Sequence, residues 1–237
     1  VILLSTESLN YLHRIFFAKE AFHGIDLSVS FENYDTLDLD YIKKLSDETI
    51  QVLSISAPSS GITESIVDKF ISMASVLGTQ VITFAPPHFS DKDISWYKEY
   101  LPKVKKSSNI SISVQNVEPK FLFFIIPARK NASLIEIKKI TDTSFDLSSS
   151  DIIKDSTFLS SIKNIYLSDN LLDKKLILGS SVISNLPIES LLMKLKANSY
   201  NLFSLKVSPK EIAGNNEAVL NNLKHCISYY EKYFAEK

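Results

Sequence analysis

Residues 138–170 read KKITDTSFDLSSSDIIKDSTFLSSIKNIYLSDN. The stretch holds two short apolar strands with polar ends: Asp142 closes the first, and Tyr166, Ser168 and Asp169 close the second. Between them, the Ser-rich segment 148–161 has room for a connecting helix. A strand, a crossover and a second strand make the unit of a parallel sheet. Such neighbours bring their polar ends to one side, where α/β proteins place their chemistry.

Working outward, the same unit recurs. Residues 1–4 read as a buried strand, and Ser5, Thr6 and Ser8 lead into an apolar-periodic helix over 9–22 that Gly24 should stop. In the next strand, 25–29, Asp26 and Ser28 share one face while Ile25, Leu27 and Val29 share the other, and a short helix over 39–45 follows. A third strand, 50–57, puts Ser54 and Ser56 opposite Leu53, Ile55 and Ala57, and Pro58 ends it. Ile66, Phe70, Met73 and Leu77 then fall on one helical face, with Gly78 as the stop.

Strand four, 81–85, closes at Pro86 and Pro87 with His88 beyond, and a helix carrying Trp96, Tyr97 and Leu101 follows. Strand five, 110–116, alternates Ile110, Ile112 and Val114 with Ser111, Ser113 and Gln115. A helix near 133–137 leads back into the opening stretch. After it come a helix near 187–197, a last strand over 202–207 with Ser204 and Lys206 on one face, and a closing helix striped by Leu220, Leu223, Ile227, Tyr230 and Phe234.

About eight strand–helix units in one series, without a linker or a shift in composition, predict one (β/α)8 TIM barrel over residues 1–237. Small polar residues on the inward face suit its interior. A doubly wound open sheet is the alternative. It is weakened by the unit count and by the lack of a Gly-rich turn, since none of the five glycines forms GxGxxG.

Composition narrows the function. With 26 basic and 27 acidic residues the net charge is -1, so no global field gathers nucleic acid or an anionic membrane. Lys103, Lys105 and Lys106 cluster without interleaved aromatics, which reads as solvated surface rather than a phosphate track. The lone Cys226 permits no internal disulfide and is expected in the core of a chain from a reducing compartment. The apolar start is too short for a signal segment, and the longest apolar run, 121–126, is far below the roughly 20 residues of a membrane helix. The expectation is a cytoplasmic protein with no membrane and no nucleic-acid partner.

VQN at 114–116, DTSF at 142–145, IYLSD at 165–169 and SLKV at 204–207 resemble motifs of the xylose isomerase-like TIM barrels. GIDLS from Gly24, ISAPS from Ile55 and TFAPP from Thr83 resemble that superfamily's earlier strands in the same order. The superfamily includes sugar and sugar-phosphate isomerases and epimerases and the apurinic endonucleases. In the isomerases, the resemblance implies, a divalent metal is held at the C-terminal mouth by Glu, Asp, His and Glu from strands five to eight. Set against that pattern, Gln115, Tyr166 and Lys206 stand where Glu, His and Glu are implied, and only Asp142 matches. Phe145 replaces a frequent His, and Ser56 and Ala85 stand where the endonucleases carry zinc-binding histidines. One carboxylate beside an amide, a phenol and an ammonium does not make a site for a hard cation. No metal and no cofactor are expected.

By strand parity Lys206 points into the barrel near its mouth and needs a carboxylate partner, with Asp142 the first choice and Asp26 the second. It acts either as glue replacing a lost ion or as an electrophile and ligand anchor. Tyr166 is either a general acid beside it or an aromatic filling vacated space. Gln115 and Asn116 either bind a sugar hydroxyl or satisfy the mouth, and Glu118, His88 and Asp169 are rim residues or solvated surface. The run 121–126 covers the mouth, fills core, or forms an apolar patch near Phe121 through which the protein self-associates as a homo-oligomer. His13 and His225 join no constellation.

Two functions therefore compete. One is a barrel that binds a small sugar-like or acidic metabolite, or a protein partner, at the mouth without catalysis. The other is a metal-independent sugar or sugar-phosphate isomerase or epimerase with Lys206, Asp142 and Tyr166 at its reaction centre.

Overall fold

Eight parallel strands close on themselves in a computed structural model that describes residues 2–6, 19, 21–30, 35–117, 121–122, 126–146, 162–167, 169–171, 174–176, 202–206 and 214–234. The strands are β1 (Ile2–Thr6), β2 (Gly24–Ser28), β3 (Val52–Ser56), β4 (Val81–Phe84), β5 (Ser111–Gln115), β6 (Asp142–Asp146), β7 (Ile162–Leu167) and β8 (Phe203–Lys206). Each pairs with its neighbours in chain order, and β8 closes on β1 with Lys206 opposite Ser5. This is the (β/α)8 barrel that the run of units predicts.

Among the described residues five helices pack outside it: α1 (Leu39–Glu48), α2 (Glu64–Leu77), α3 (Leu101–Ser107), α4 (Leu134–Ile140) and α5 (Asn216–Phe234). Their ends follow capping chemistry. Asp38 and Thr63 accept the Tyr41 and Ile66 N–H groups at the starts of α1 and α2, and Ser133 forms a reciprocal capping box with Glu136 on α4. Gly78 ends α2 at φ +70°, as its position after the apolar stripe predicts. That stripe, Ile66, Phe70, Met73 and Leu77, is buried together with Val67 and Ala74. Phe70 meets Phe84 edge-on at 6.2 Å, and Phe84 in turn meets Trp96 at 6.1 Å. The apolar faces of the strands therefore look outward onto helices, and the polar faces look inward.

Several boundaries differ from the sequence reading. Gly24 does not end a helix but opens β2, where a Cβ would lie 2.9 Å from side chains of both Leu3 and Leu53. The helix expected around Trp96 begins as a π-helical turn, Trp96–Tyr100, before α3. In α5, Leu223 and Ile227 are buried as expected, and Val219 joins them. Within the run 121–126, Phe121–Leu122 pairs antiparallel with Ile126–Pro127. Phe121 is 58% and Ile126 43% exposed, so these two residues do not fill core. The helices expected over 9–22, 148–161 and 187–197, and the side chains of Cys226, Tyr230 and Phe234, lie outside the described residues. Among the described residues no helix is long and apolar enough to cross a membrane.

Candidate functional site at the C-terminal mouth

Strands β3 and β7 are diametrically opposite in the ring, so a hydrogen bond between their side chains must cross the lumen. Among the described residues two such bonds exist, in successive tiers. In the deeper one, Asn164 Nδ2 donates to Ser54 Oγ at 3.3 Å and to Ser204 Oγ at 2.8 Å. Two residues further along the same three strands come Ser56, Tyr166 and Lys206. Period-two alternation puts these on the same face, one layer nearer the C-terminal ends. On the other side of the lumen Thr83, Ser113 and Ser144 form a closed triangle of hydroxyls, 2.7–3.2 Å apart. The interior is thus a packed set of short polar side chains rather than the branched aliphatic layers usual in this architecture.

The upper tier carries the ionisable groups. Tyr166, completely buried, has its hydroxyl 2.6 Å from Ser56 Oγ. Ser56 in turn donates to the Asp26 carboxylate, 3.1 Å from Oδ2 and 3.3 Å from Oδ1. With the Ser56 proton directed to Asp26, the phenol donates to Ser56, and a chain runs Tyr166 to Ser56 to Asp26. The Lys206 ammonium lies 4.2 Å from the centre of the Tyr166 ring, on its face, a cation–π contact. Burial pushes the Asp26 carboxyl above its ordinary value; the hydroxyls of Ser54, Ser5 and Ser56 and the charge of Lys206 pull the other way and only partly offset it.

The charge of Lys206 thus reaches Asp26, the second-choice partner, as the weakest of the influences on that carboxyl, and Asp142 is elsewhere. Asp142 is the first residue of β6, aligned with Ser113, and its Oδ1 accepts from Lys105 Nζ at 2.8 Å. Lys105 sits in the last turn of α3. Helices in this fold run antiparallel to the strands, so the last turn of α3 and the first residue of β6 both lie at the end of the barrel away from the mouth. The expectation that Asp142 closes its strand and faces Lys206 is corrected. DTSFD holds two aspartates four residues apart, and the later one, Asp146, occupies the C-terminal end of β6 in register with Tyr166.

The remaining candidates divide. Gln115 ends β5 two residues beyond the inward Ser113, and Asn116 follows it, fully buried. His88 lies beyond β4 in a knot of loop contacts: its N–H donates to Asp91 Oδ2 at 2.7 Å and its Nδ1 lies 2.7 Å from Ser90 Oγ. Asp169 begins a small antiparallel ladder with 174–176, and Glu118 lies outside the described residues. Sequence reasoning overlooked Arg129, which follows the 121–127 ladder and bonds across to the β3 and β4 loops. A lone Arg in a loop carries no pattern that would single it out.

Among the described residues the donor chemistry of the mouth is an amide, a buried phenol, an ammonium, and a carboxyl sealed beneath hydroxyls. Among the described residues no three His, Cys, Asp or Glu side chains are placed to hold a metal ion. The described groups by themselves supply too few anionic or imidazole donors for a hard divalent ion.

No protein-family model and no curated protein sequence matches the chain. Solved structures do. A xylose isomerase domain protein from Alicyclobacillus acidocaldarius superposes with a TM-score of 0.67 at 12% identity, over 99% of each chain. A sugar phosphate isomerase/epimerase from Parabacteroides distasonis also gives 0.67, at 13% identity over 99% of this chain and 94% of its own. The IolI protein with a bound zinc atom gives 0.67 at 13% identity, over 99% of both. The fold is that of the xylose isomerase-like TIM barrels.

Proposed function

We propose that this barrel binds a small sugar-like or acidic metabolite at its C-terminal mouth, without a divalent metal and without turning it over. The observation that carries the reading is the Lys206 ammonium seated on the Tyr166 ring at 4.2 Å, above a phenol whose hydroxyl bonds across the lumen to Ser56. The phenol occupies the level at which an ion held by strands five to eight would need open coordination space. The ammonium offers donors in its stead, with Gln115 at the end of β5, and these suit the hydroxyls and the charge of an oxidised or phosphorylated polyol. Catalysis of the isomerase type needs a base that reaches the substrate carbon. Among the described side chains Asp26 is the acid of this tier and is fully buried behind Ser56, which supports binding as the role.

Calorimetric titration of the purified, metal-analysed protein with sugars, sugar acids and sugar phosphates tests this. At least one class should bind, and Lys206→Met should weaken it by roughly tenfold or more, the weight of one charge-assisted hydrogen bond. Asp142→Asn, at the far end of the barrel, should leave the affinity unchanged. A stoichiometric divalent ion lost on mutating the mouth would defeat the metal-free reading. Incorporation of solvent deuterium into a bound sugar would replace binding with metal-independent isomerisation.

A further inference from the structure

Arg129 is half-buried, and its guanidinium is gripped by main-chain oxygens alone. Its Nη1 donates to the carbonyl of Ser59, three residues past the end of β3, and to that of Pro86 at 2.9 Å, two residues past the end of β4. Both loops lie at the C-terminal mouth. The backbone around Arg129 is tied to the same region: it bridges His88, Lys130 N–H donates to Pro87 at 2.9 Å, and Phe89 N–H donates to Ala128 at 3.0 Å.

A guanidinium has five N–H donors in a fixed plane. The two on Nη1 are consumed by the two carbonyls. The Nε–H and the two Nη2–H groups meet no acceptor among the described residues, and no described carboxylate lies within 4.0 Å of the group. Asp91 contributes a favourable charge, but its Oδ2 is committed to the His88 N–H. The Nε–Nη2 edge is the side of arginine that engages a phosphate or carboxylate through two parallel hydrogen bonds. Anchoring by two loops holds that edge in place before a ligand arrives, which reduces the entropy lost on binding. Partial desolvation strengthens its attraction to an anion.

We propose that Arg129 receives the oxyanion of the mouth's ligand, a terminal phosphate or carboxylate, while the Lys206 end of the mouth receives its hydroxyls. This deepens the preceding reading and rests on it for the polyol portion. The probes are inorganic phosphate, glucose 6-phosphate, gluconate and glucose. In wild-type protein phosphate should raise the thermal midpoint and shift the Arg129 Nε–H NMR resonance, identified by its loss in Arg129→Lys. Arg129→Lys keeps the charge but not the fork and should weaken phosphate roughly tenfold or more. Whichever of glucose 6-phosphate and gluconate outcompetes phosphate identifies the oxyanion. An unmoved Arg129 resonance at saturating phosphate, or an undiminished response in Arg129→Lys, overturns the proposal even if that variant is poorly folded. Phosphate binding through Arg129 with no response to any sugar would instead defeat the polyol reading and leave the anion site standing.

Discussion

Asp26 is the residue at which chemistry and stability meet. It is sealed under Ser5, Ser54 and Ser56 with Lys206 as the nearby cation, and burial dominates, so its native pKa is raised from 3.8. A carboxyl that holds its proton more tightly in the folded than in the unfolded chain favours folding at low pH. The contribution is fully present below the unfolded value of 3.8 and is lost as pH rises through the raised native value. Asp26→Asn removes the titration while keeping the shape. Urea unfolding at a series of pH values should show wild type losing stability relative to the variant as pH climbs above 3.8, then a level difference. A difference that grows in wild type's favour with rising pH would mean that Lys206 and the serines outweigh desolvation. This residue was legible in part: its inward parity was plain from GIDLS, but its partner was not. A string of letters shows that Lys206 needs an acid, and only the register of β1, β2 and β8, with Ser5 opposite both residues, brings its charge toward Asp26.

Elements were most legible where the period was long and the ends chemically marked. The α2 stripe and its Gly78 stop follow from spacing alone, as does the alternation in β5. Strand ends were least legible. DTSFD carries an aspartate at each end, and what makes Asp142 the opening one is the end of α4 at Ile140, with Thr141 Oγ1 donating to Ile112 O at 2.8 Å. Gly24 was misread for a related reason: a glycine between a helix and a strand serves either as stop or as spacer. Here it lets β2 enter between β1 and β3, and Gly24→Ala would set a methyl 2.9 Å from Leu3 Cδ2 and Leu53 Cδ1 and 3.1 Å from Gln51 O. The expected cost is about 1–3 kcal/mol in the urea midpoint at constant m-value. A neutral substitution would show that the two leucines move aside freely.

At the scale of the molecule, the barrel coheres through a polar lumen wrapped in an apolar shell. Asn164 binds β7 to β3 across the lumen and to β8 beside it, through Ser54 and Ser204. Asn164→Leu would keep the volume and strand two buried hydroxyls, so the cooperative unfolding free energy should fall by roughly 2 kcal/mol or more. An unaffected midpoint would mean that the hydroxyls find other partners. The sequence alone determined the fold class, because eight repeats of apolar-outside, polar-inside strands leave a closed barrel as the arrangement that buries both faces. Through the resemblance it also set Gln115, Tyr166 and Lys206 against the implied Glu, His and Glu, since donor chemistry is a property of the letters. Only the tertiary structure decided that Tyr166 reaches Ser56, that Lys206 acts on Asp26 while Asp142 pairs with Lys105, and that Arg129 is fixed by two loops. Those contacts join residues up to 110 positions apart, and closure of the ring, not local propensity, sets which side chains face one another.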